Sequence, residues 1–206
     1  MAGSDDLIGR IESRLLRQPD APGDLQPDWQ PEVPYTRPPT PAAVLIGLVE
    51  RETGLGVLYT ERSADLRSHS GQISFPGGKI DPEDAGAADA ALREAWEEID
   101  LRREDARVLG YLPQYYAGSN YLITPVVALV RPTRPFLPNP AEVASVFEVP
   151  LGWLMDEQNY GVFRISRNGY EHTTPQIKHE RWTIWGITAN ITRRFHDMAL
   201  SGEASP

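Results

Sequence analysis

Eight prolines fall between residues 19 and 41, at Pro19, Pro22, Pro27, Pro31, Pro34, Pro38, Pro39 and Pro41. Each lacks a backbone N–H and fixes φ near −65°, so neither a helix nor an interior strand persists through such a stretch. It is expected to run extended over the surface as a linker or wrapping arm. On its N-terminal side, residues 4–17 (SDDLIGRIESRLLR) carry Leu7, Ile8, Ile11, Leu15 and Leu16 at helical spacing. With Ser4 or Asp5 as N-cap, this predicts a short amphipathic helix. Residues 1–41 thus read as helix plus arm, and 42–200 as one domain. The 206 residues are 40% hydrophobic with five tryptophans, which suffices for one sizeable core and leaves a second domain cramped.

From Ala42 the pattern is β-rich. AVLIGLVER and VLYTER, separated by ETGLG, read as a hairpin, and GQISF as a third short strand. The period then changes: a helix opens at Asp84 or just after it and runs to about Ile99, with Ala88, Leu92, Ala95 and Ile99 as its apolar stripe. RVLGYLPQYY, YLITPVVALVR and VASVFEVP read as further strands. GVFRI and residues 170–174, joined by Arg167-Asn168-Gly169, read as a late hairpin, and WGITANITRRFHDMAL as a closing helix. The final SGEASP is expected to fray. Strands followed by single helices, without internal repeats, imply an α/β or α+β sandwich rather than a repeating βαβ sheet.

Cysteine is absent, which excludes disulfides, thiolate nucleophiles and Cys-based zinc sites. Any metal must be held by oxygen or imidazole. No apolar run approaches the roughly 18–20 residues of a membrane span, and MAGSDDLIGR has no basic region followed by an apolar stretch, so a cytoplasmic location is expected. The net charge of −9 argues against nucleic-acid or membrane-surface partners, which need basic patches. A small phosphorylated ligand stays open, because carboxylates that gather divalent cations can present positive charge to it.

Such carboxylates are present. In Arg93-Glu94-Ala95-Trp96-Glu97-Glu98, a helix places Glu94, Glu97 and Glu98 at i, i+3 and i+4 on one face, opposite the apolar stripe. A Glu-rich helix face is more often a solvated surface than a metal site. Here, however, the following turn supplies Asp100 where Lys or Arg would relieve the repulsion. Clustering without relief favours a cation, and all-oxygen ligation suits Mg²⁺ or Mn²⁺.

The stretch Gly78-Lys79-Ile80-Asp81-Pro82-Glu83-Asp84 through Leu92-Arg93-Glu94-Ala95-Trp96-Glu97-Glu98-Ile99-Asp100-Leu101 resembles the Nudix box. Its Arg-Glu-x-x-Glu-Glu core is intact. Three positions depart: Asp84 stands for the early Glu, eight residues instead of seven separate it from Arg93, and Asp100 replaces the final Gly. Just upstream, Leu58 to Gly78 contains Arg62-Ser63, Leu66-Arg67-Ser68-His69 and Gly71-Gln72 and is similar to the signature of the coenzyme A diphosphatases within that family. The first two departures are also associated with that branch. Apart from any family, Arg62, Arg67 and His69 put three potential hydrogen-bond donors to phosphate in one loop of an acidic protein. The similarity extends over roughly residues 40–195.

The resemblance implies an α/β/α sandwich with a mixed central sheet and a catalytic loop-helix-loop. It implies Glu94 and Glu98 as principal metal ligands, Glu97 as a further ligand or base, and the Gly78 carbonyl as a backbone ligand. Arg93 would orient a carboxylate. The general base stays open among Glu97, Asp84 and Glu142, the last following the rigid turn Pro138-Asn139-Pro140. Arg62, Arg67, His69 and Gln72 would bind the substrate, coenzyme A or an acyl-CoA. ADP-ribose, NADH or a nucleoside triphosphate are alternative substrates, and a nucleotide-sensing module without turnover is the alternative to an enzyme. Edge strands and the proline arm make a homodimer a further expectation.

Overall fold

A computed structural model describes residues 2–19, 35–65, 69–167 and 170–201. The chain begins with α1 (Ala2–Arg14), which buries Ile8 and Ile11. The helix ends three residues earlier than its apolar spacing predicts. Leu16 instead exchanges two backbone hydrogen bonds of 3.0 Å with Tyr111, so the chain leaves the helix by pairing with a strand edge. Of the proline arm, residues 20–34 lie outside the described residues; its last two residues, Thr40 and Pro41, already belong to a strand.

That strand, β1 (Thr40–Arg51), organises the molecule. Its run AAVLIGLV is apolar at nearly every position, the pattern of a strand covered on both faces. It turns through Glu52-Thr53 into β2 (Gly54–Arg62), with Gly54 at φ 118. The connection is tighter than the five-residue loop the sequence suggests. Next come β3 (Ile73–Ser74), β4 (Gly77–Lys79), α2 (Ala87–Ile99), β5 (Ala106–Tyr111), β6 (Tyr115–Ala117), β7 (Tyr121–Val130) and β8 (Val143–Pro150). The main sheet runs β3-β2-β1-β7-β5, with β4 on β1, β6 on β7 and β8 on β2. β1 is parallel to β7 but antiparallel to β2 and β4, so the sheet is mixed. A short α3 (Leu151–Met155) leads to a second sheet of β9 (Tyr160–Arg167), β10 (Tyr170–His179) and β11 (Trp182–Trp185), closed by α4 (Gly186–Phe195). The Asn168-Gly169 turn expected between β9 and β10 lies outside the described residues.

Alternating residues of β1 face two cores. Ala43, Leu45 and Val49 pack with Ala90, Ala91, Ala95 and Ile99 of α2, whereas Ala42, Ile46 and Leu48 pack with α1 and α4 through Ile11, Ile191 and Phe195. The sheet is thus sandwiched between helices. Phe75, Tyr59, Phe147 and Trp182 stack in succession, with centroid distances of 4.8, 5.7 and 4.1 Å, and tie the second sheet to the first. Phe75 and Leu92 are core residues, as their apolar character indicates, whereas Trp185, expected in the core on the same ground, is only half-buried, beside Phe163.

Three local differences have simple causes. RVLGYLPQYY divides into β5 and β6 around Leu112-Pro113-Gln114, because Pro113 has no N–H for the ladder. β4 and β11 are short strands that the hydrophobic pattern does not announce. α2 opens at Ala87, at the later end of the expected start, since Asp84 and Asp89 accept from the N–H groups of Asp81 and Ala85 at 2.8 and 3.0 Å, which holds residues 81–86 as a loop. Among the described residues, no helix is long and apolar enough to cross a membrane.

Candidate active site

The apolar stripe of α2 packs on β1 and β7, which turns Glu94 and Glu98 toward β4. There Gly77 and Gly78 pair with Val44 and Ala43 of β1. The Gly77 N–H donates to Glu98 Oε2 at 3.3 Å. Glu94 lies so close to Gly78 that a Cβ there would sit 2.5 Å from Glu94 Cδ. Only glycine leaves the carboxylate room. The three box glutamates are not equivalent, as a helical wheel alone implies. Glu98 is 4% exposed, while the Glu94 and Glu97 side chains are 17% and 44% exposed.

Their charge is also relieved within the box, contrary to the inference drawn from Asp100 in the next turn. Arg93 Nε and Nη2 donate to the two oxygens of Asp84 at 2.9 and 3.0 Å. Nη1 reaches Glu94 Oε1 at 3.0 Å and Glu97 Oε2 at 3.2 Å, and Nη2 also donates to the Lys79 carbonyl at 3.1 Å. One planar guanidinium thus fixes two carboxylates of α2 and the loop before it. Its hydrogen bonds hold Asp84 below the usual carboxylate range. Glu94 moves the other way, because burial outweighs its contact with Arg93. Burial, then the charge of Glu94, pushes Glu98 up to about 8.

Glu94 and Glu98 line a cleft of about 370 Å³ together with Gly78, Arg62, Lys79, Tyr121 and Glu142. Arg62 ends β2, and its Nε is buried without a hydrogen-bond partner among the described residues. Ser63 N–H donates to the Glu142 carbonyl at 2.8 Å, coupling the two loops that carry Arg62 and Glu142. His69 and Gln72 hydrogen-bond each other at 2.8 Å, Nδ1 to Oε1; neither lines the cleft. Arg67 lies outside the described residues. Glu97 borders an adjoining groove with Trp96 and Leu137, and Glu142 borders both spaces. Sequence reasoning missed Lys79 and Tyr121. Lys79 follows Gly78 directly, a detectable signal; Tyr121 arrives through the pairing Thr40↔Tyr121 between β1 and β7, which no local pattern announces.

Asp100, the third departure from the box, caps α2 in the left-handed conformation (φ 56, ψ 32), with its N–H on the Trp96 and Ala95 carbonyls. The chain leaves the helix by the route a glycine would take, and the Asp100 carboxylate accepts from Arg134, a partner glycine lacks.

Among the described residues, no three acidic or histidine side chains form a ready-made metal cage. The arrangement is instead an open, acidic floor of Glu94 and Glu98 facing the guanidinium of Arg62, a combination suited to an anionic ligand accompanied by cations.

Residues 38–165 match the family model of the NUDIX domain. A relative from Photorhabdus laumondii, called an uncharacterized Nudix hydrolase, NudL, is 41% identical over 73% of this chain and 80% of its own length. NudL of Escherichia coli is 41% identical over 74% and 79%. Among solved structures, the Nudix hydrolase RenU of M. smegmatis aligns with a TM-score of 0.48 at 23% identity, covering 57% of this chain and 74% of that one. The domain match spans well over half of the chain, and the box carboxylates stand together at one cleft: the chain belongs to the Nudix family of pyrophosphohydrolases.

Proposed function

We propose that the chain hydrolyses the diphosphate bond of coenzyme A and acyl-CoA, with Mg²⁺ or Mn²⁺, to 3′,5′-ADP and (acyl-)4′-phosphopantetheine. The observation that carries the substrate is the segment from Arg62 to Gln72, which resembles the coenzyme A diphosphatase signature and delivers Arg62 to the cleft wall. The donor set fits a hard divalent ion: two neighbouring carboxylates, Glu94 and Glu98, and the Gly78 backbone lie together. Mg²⁺ keeps several waters and shares phosphate oxygens, so it needs no closed protein cage.

In this reading Glu94, Glu98 and the Gly78 carbonyl would hold the metal, with Glu97 a further ligand. Once bound, divalent ions would supply charge neutralisation of the diphosphate and a more acidic water. Arg62 and Lys79, which line the same cleft, receive diphosphate oxygens. Arg93 holds Glu94 and Glu97 in place, and Asp84, with both oxygens committed to Arg93, holds Arg93. Of the three candidate bases, Glu142 is the one that lines the cleft. It takes the proton as water adds to one phosphorus, the P–O bond to the bridging oxygen breaks, and the other phosphate leaves with that oxygen. Product analysis with coenzyme A and magnesium tests the reading: release of 3′,5′-ADP and 4′-phosphopantetheine is expected, and AMP-type products or no turnover would sink it. Dephospho-coenzyme A at an equal rate would remove any role for the 62–72 loop in reading the 3′-phosphate.

A further inference from the structure

Two large apolar side chains beside the cleft are left in solvent, Trp96 at 58% and Leu137 at 67% exposure. Trp96 sits on α2 within the box, next to Glu97. Leu137 stands on a segment fastened to the end of the same helix. Its N–H donates to the Ile99 carbonyl at 3.0 Å, Asn139 N–H to the Glu98 carbonyl at 2.8 Å, and Glu142 and Val143 N–H to the Asn139 carbonyl at 3.0 and 2.8 Å. Both side chains line a preformed groove of about 600 Å³, together with Pro138 and Pro140.

The groove continues the cleft, because Glu142 lines both. Its charge differs. The groove is lined by Glu97, Asp100 and Glu142 with no Lys or Arg, whereas the cleft sets Arg62 and Lys79 beside Glu94, Glu98 and Glu142. Of the two, only the cleft offers cationic side chains to a phosphorylated nucleotide. An uncharged chain fits the groove: aliphatic carbons gain from contact with Trp96, Leu137 and the prolines, and amide N–H groups find acceptors in Glu142 and Asn139.

We propose that this groove binds the uncharged, amide-bearing arm of the substrate, with an acyl extension lying on Trp96 and Leu137, while the phosphorylated nucleotide half lies on the Arg62 and Lys79 side. This rests on the coenzyme A reading and adds an orientation and a preference for acylated substrate. Each methylene taken from water onto apolar surface is worth about fourfold in affinity, so a chain of several carbons lowers KM by tenfold or more.

The test compares kcat/KM for coenzyme A, acetyl-CoA and octanoyl-CoA in the full chain and its Trp96→Ala and Leu137→Ser variants, with sedimentation of each. Expected is a kcat/KM that rises with chain length in the unaltered protein. Both variants should reduce the octanoyl-CoA to coenzyme A ratio at least tenfold, through KM and not kcat. Coenzyme A turnover with the same ratio in all three proteins overturns the groove assignment alone. A dimer that Trp96→Ala dissociates, without a change in the ratio, overturns it in favour of a second copy covering Trp96. No turnover of coenzyme A by the unaltered protein overturns the substrate reading and the groove assignment together.

Discussion

Two adjacent glycines should fail in opposite ways. At Gly78, an alanine Cβ would stand 2.5 Å from Glu94 Cδ and 2.7 Å from Oε2, against the roughly 3.5 Å of an unstrained contact. The obstacle is the tip of a flexible side chain, so the fold survives and the carboxylate swings away by about 1 Å. If Glu94 holds the metal as proposed, a displacement of that size costs about 100-fold in rate, or about 2.7 kcal/mol of transition-state stabilisation. Thermal stability should stay within about 1 kcal/mol, a shift of about 2–4 °C for a chain of this size. At Gly77 the same methyl would sit 2.7 Å from Val44 Cα and closer still to the Ala43 carbonyl oxygen. Those atoms are backbone of the central strand, with no rotamer to yield, and overpacking there should cost about 3 kcal/mol or more. Melting curves, kcat/KM and Mn²⁺ binding by titration separate the two. Gly78→Ala with unaltered metal affinity and turnover, or with a melting temperature as low as that of Gly77→Ala, would refute the assignment of Glu94 to the metal through its contact with Gly78.

Glu98 carries a pH prediction. A carboxyl raised from 4.5 to about 8 in the fold favours its neutral form, so the metal-free protein should lose stability as pH climbs from about 4.5 to about 8, on the order of a few kcal/mol. Melting temperature against pH in chelator should show this decline, and Glu98→Gln should flatten it. Protons and metal compete for the same oxygens, so Mg²⁺ affinity should rise about tenfold per pH unit below about 8 and level above it. Arg93→Ala strands Asp84, whose side chain is 4% exposed; a stability loss of about 2 kcal/mol by denaturant titration is expected together with a fall in kcat. For Asp100, Gly and Ala both lose Arg134, but Gly also removes the left-handed strain, which Ala keeps; by melting temperature Gly should be at least as stable as Asp and Ala the least stable, over a span of about 2 kcal/mol. Glu142→Gln should lower kcat at least 100-fold with Mg²⁺ affinity intact; a parallel loss of both would make it a ligand instead.

Much of this architecture is written locally in the chain. The double-faced apolar run of β1 and the Ala/Leu/Ile stripe of α2 need no tertiary information. The box glutamates share a face by helical spacing alone. What spacing does not reveal is that Glu98 is buried and Glu97 is not, since that depends on how closely β4 approaches α2, and β4 is two glycines and a lysine with no periodicity to detect. Nor does it reveal that Arg93 relieves the acidic cluster, because a guanidinium one residue from Glu94 and nine from Asp84 reaches both only after the 81–86 loop folds back. Tyr121 enters through strand register, and the left-handed Asp100 through a backbone conformation that a sequence pattern assigns to glycine.

The parallel pairing of β1 with β7 has a consequence for how the molecule comes into being. Thr40 to Val49 lie beside Tyr121 to Val130, so one wall of the cleft joins segments separated by the whole of α2 and its flanking strands. Closing so long a loop is entropically costly and slow. During synthesis the β1–β2 hairpin and α2 can form while β1 still waits for its parallel neighbour, leaving an apolar edge open until residue 130 has emerged. Substitutions that weaken β7, such as at Val126 or Val127, should therefore show first as poor yield and aggregation during expression, before any loss in the activity of the molecules that do complete the sheet.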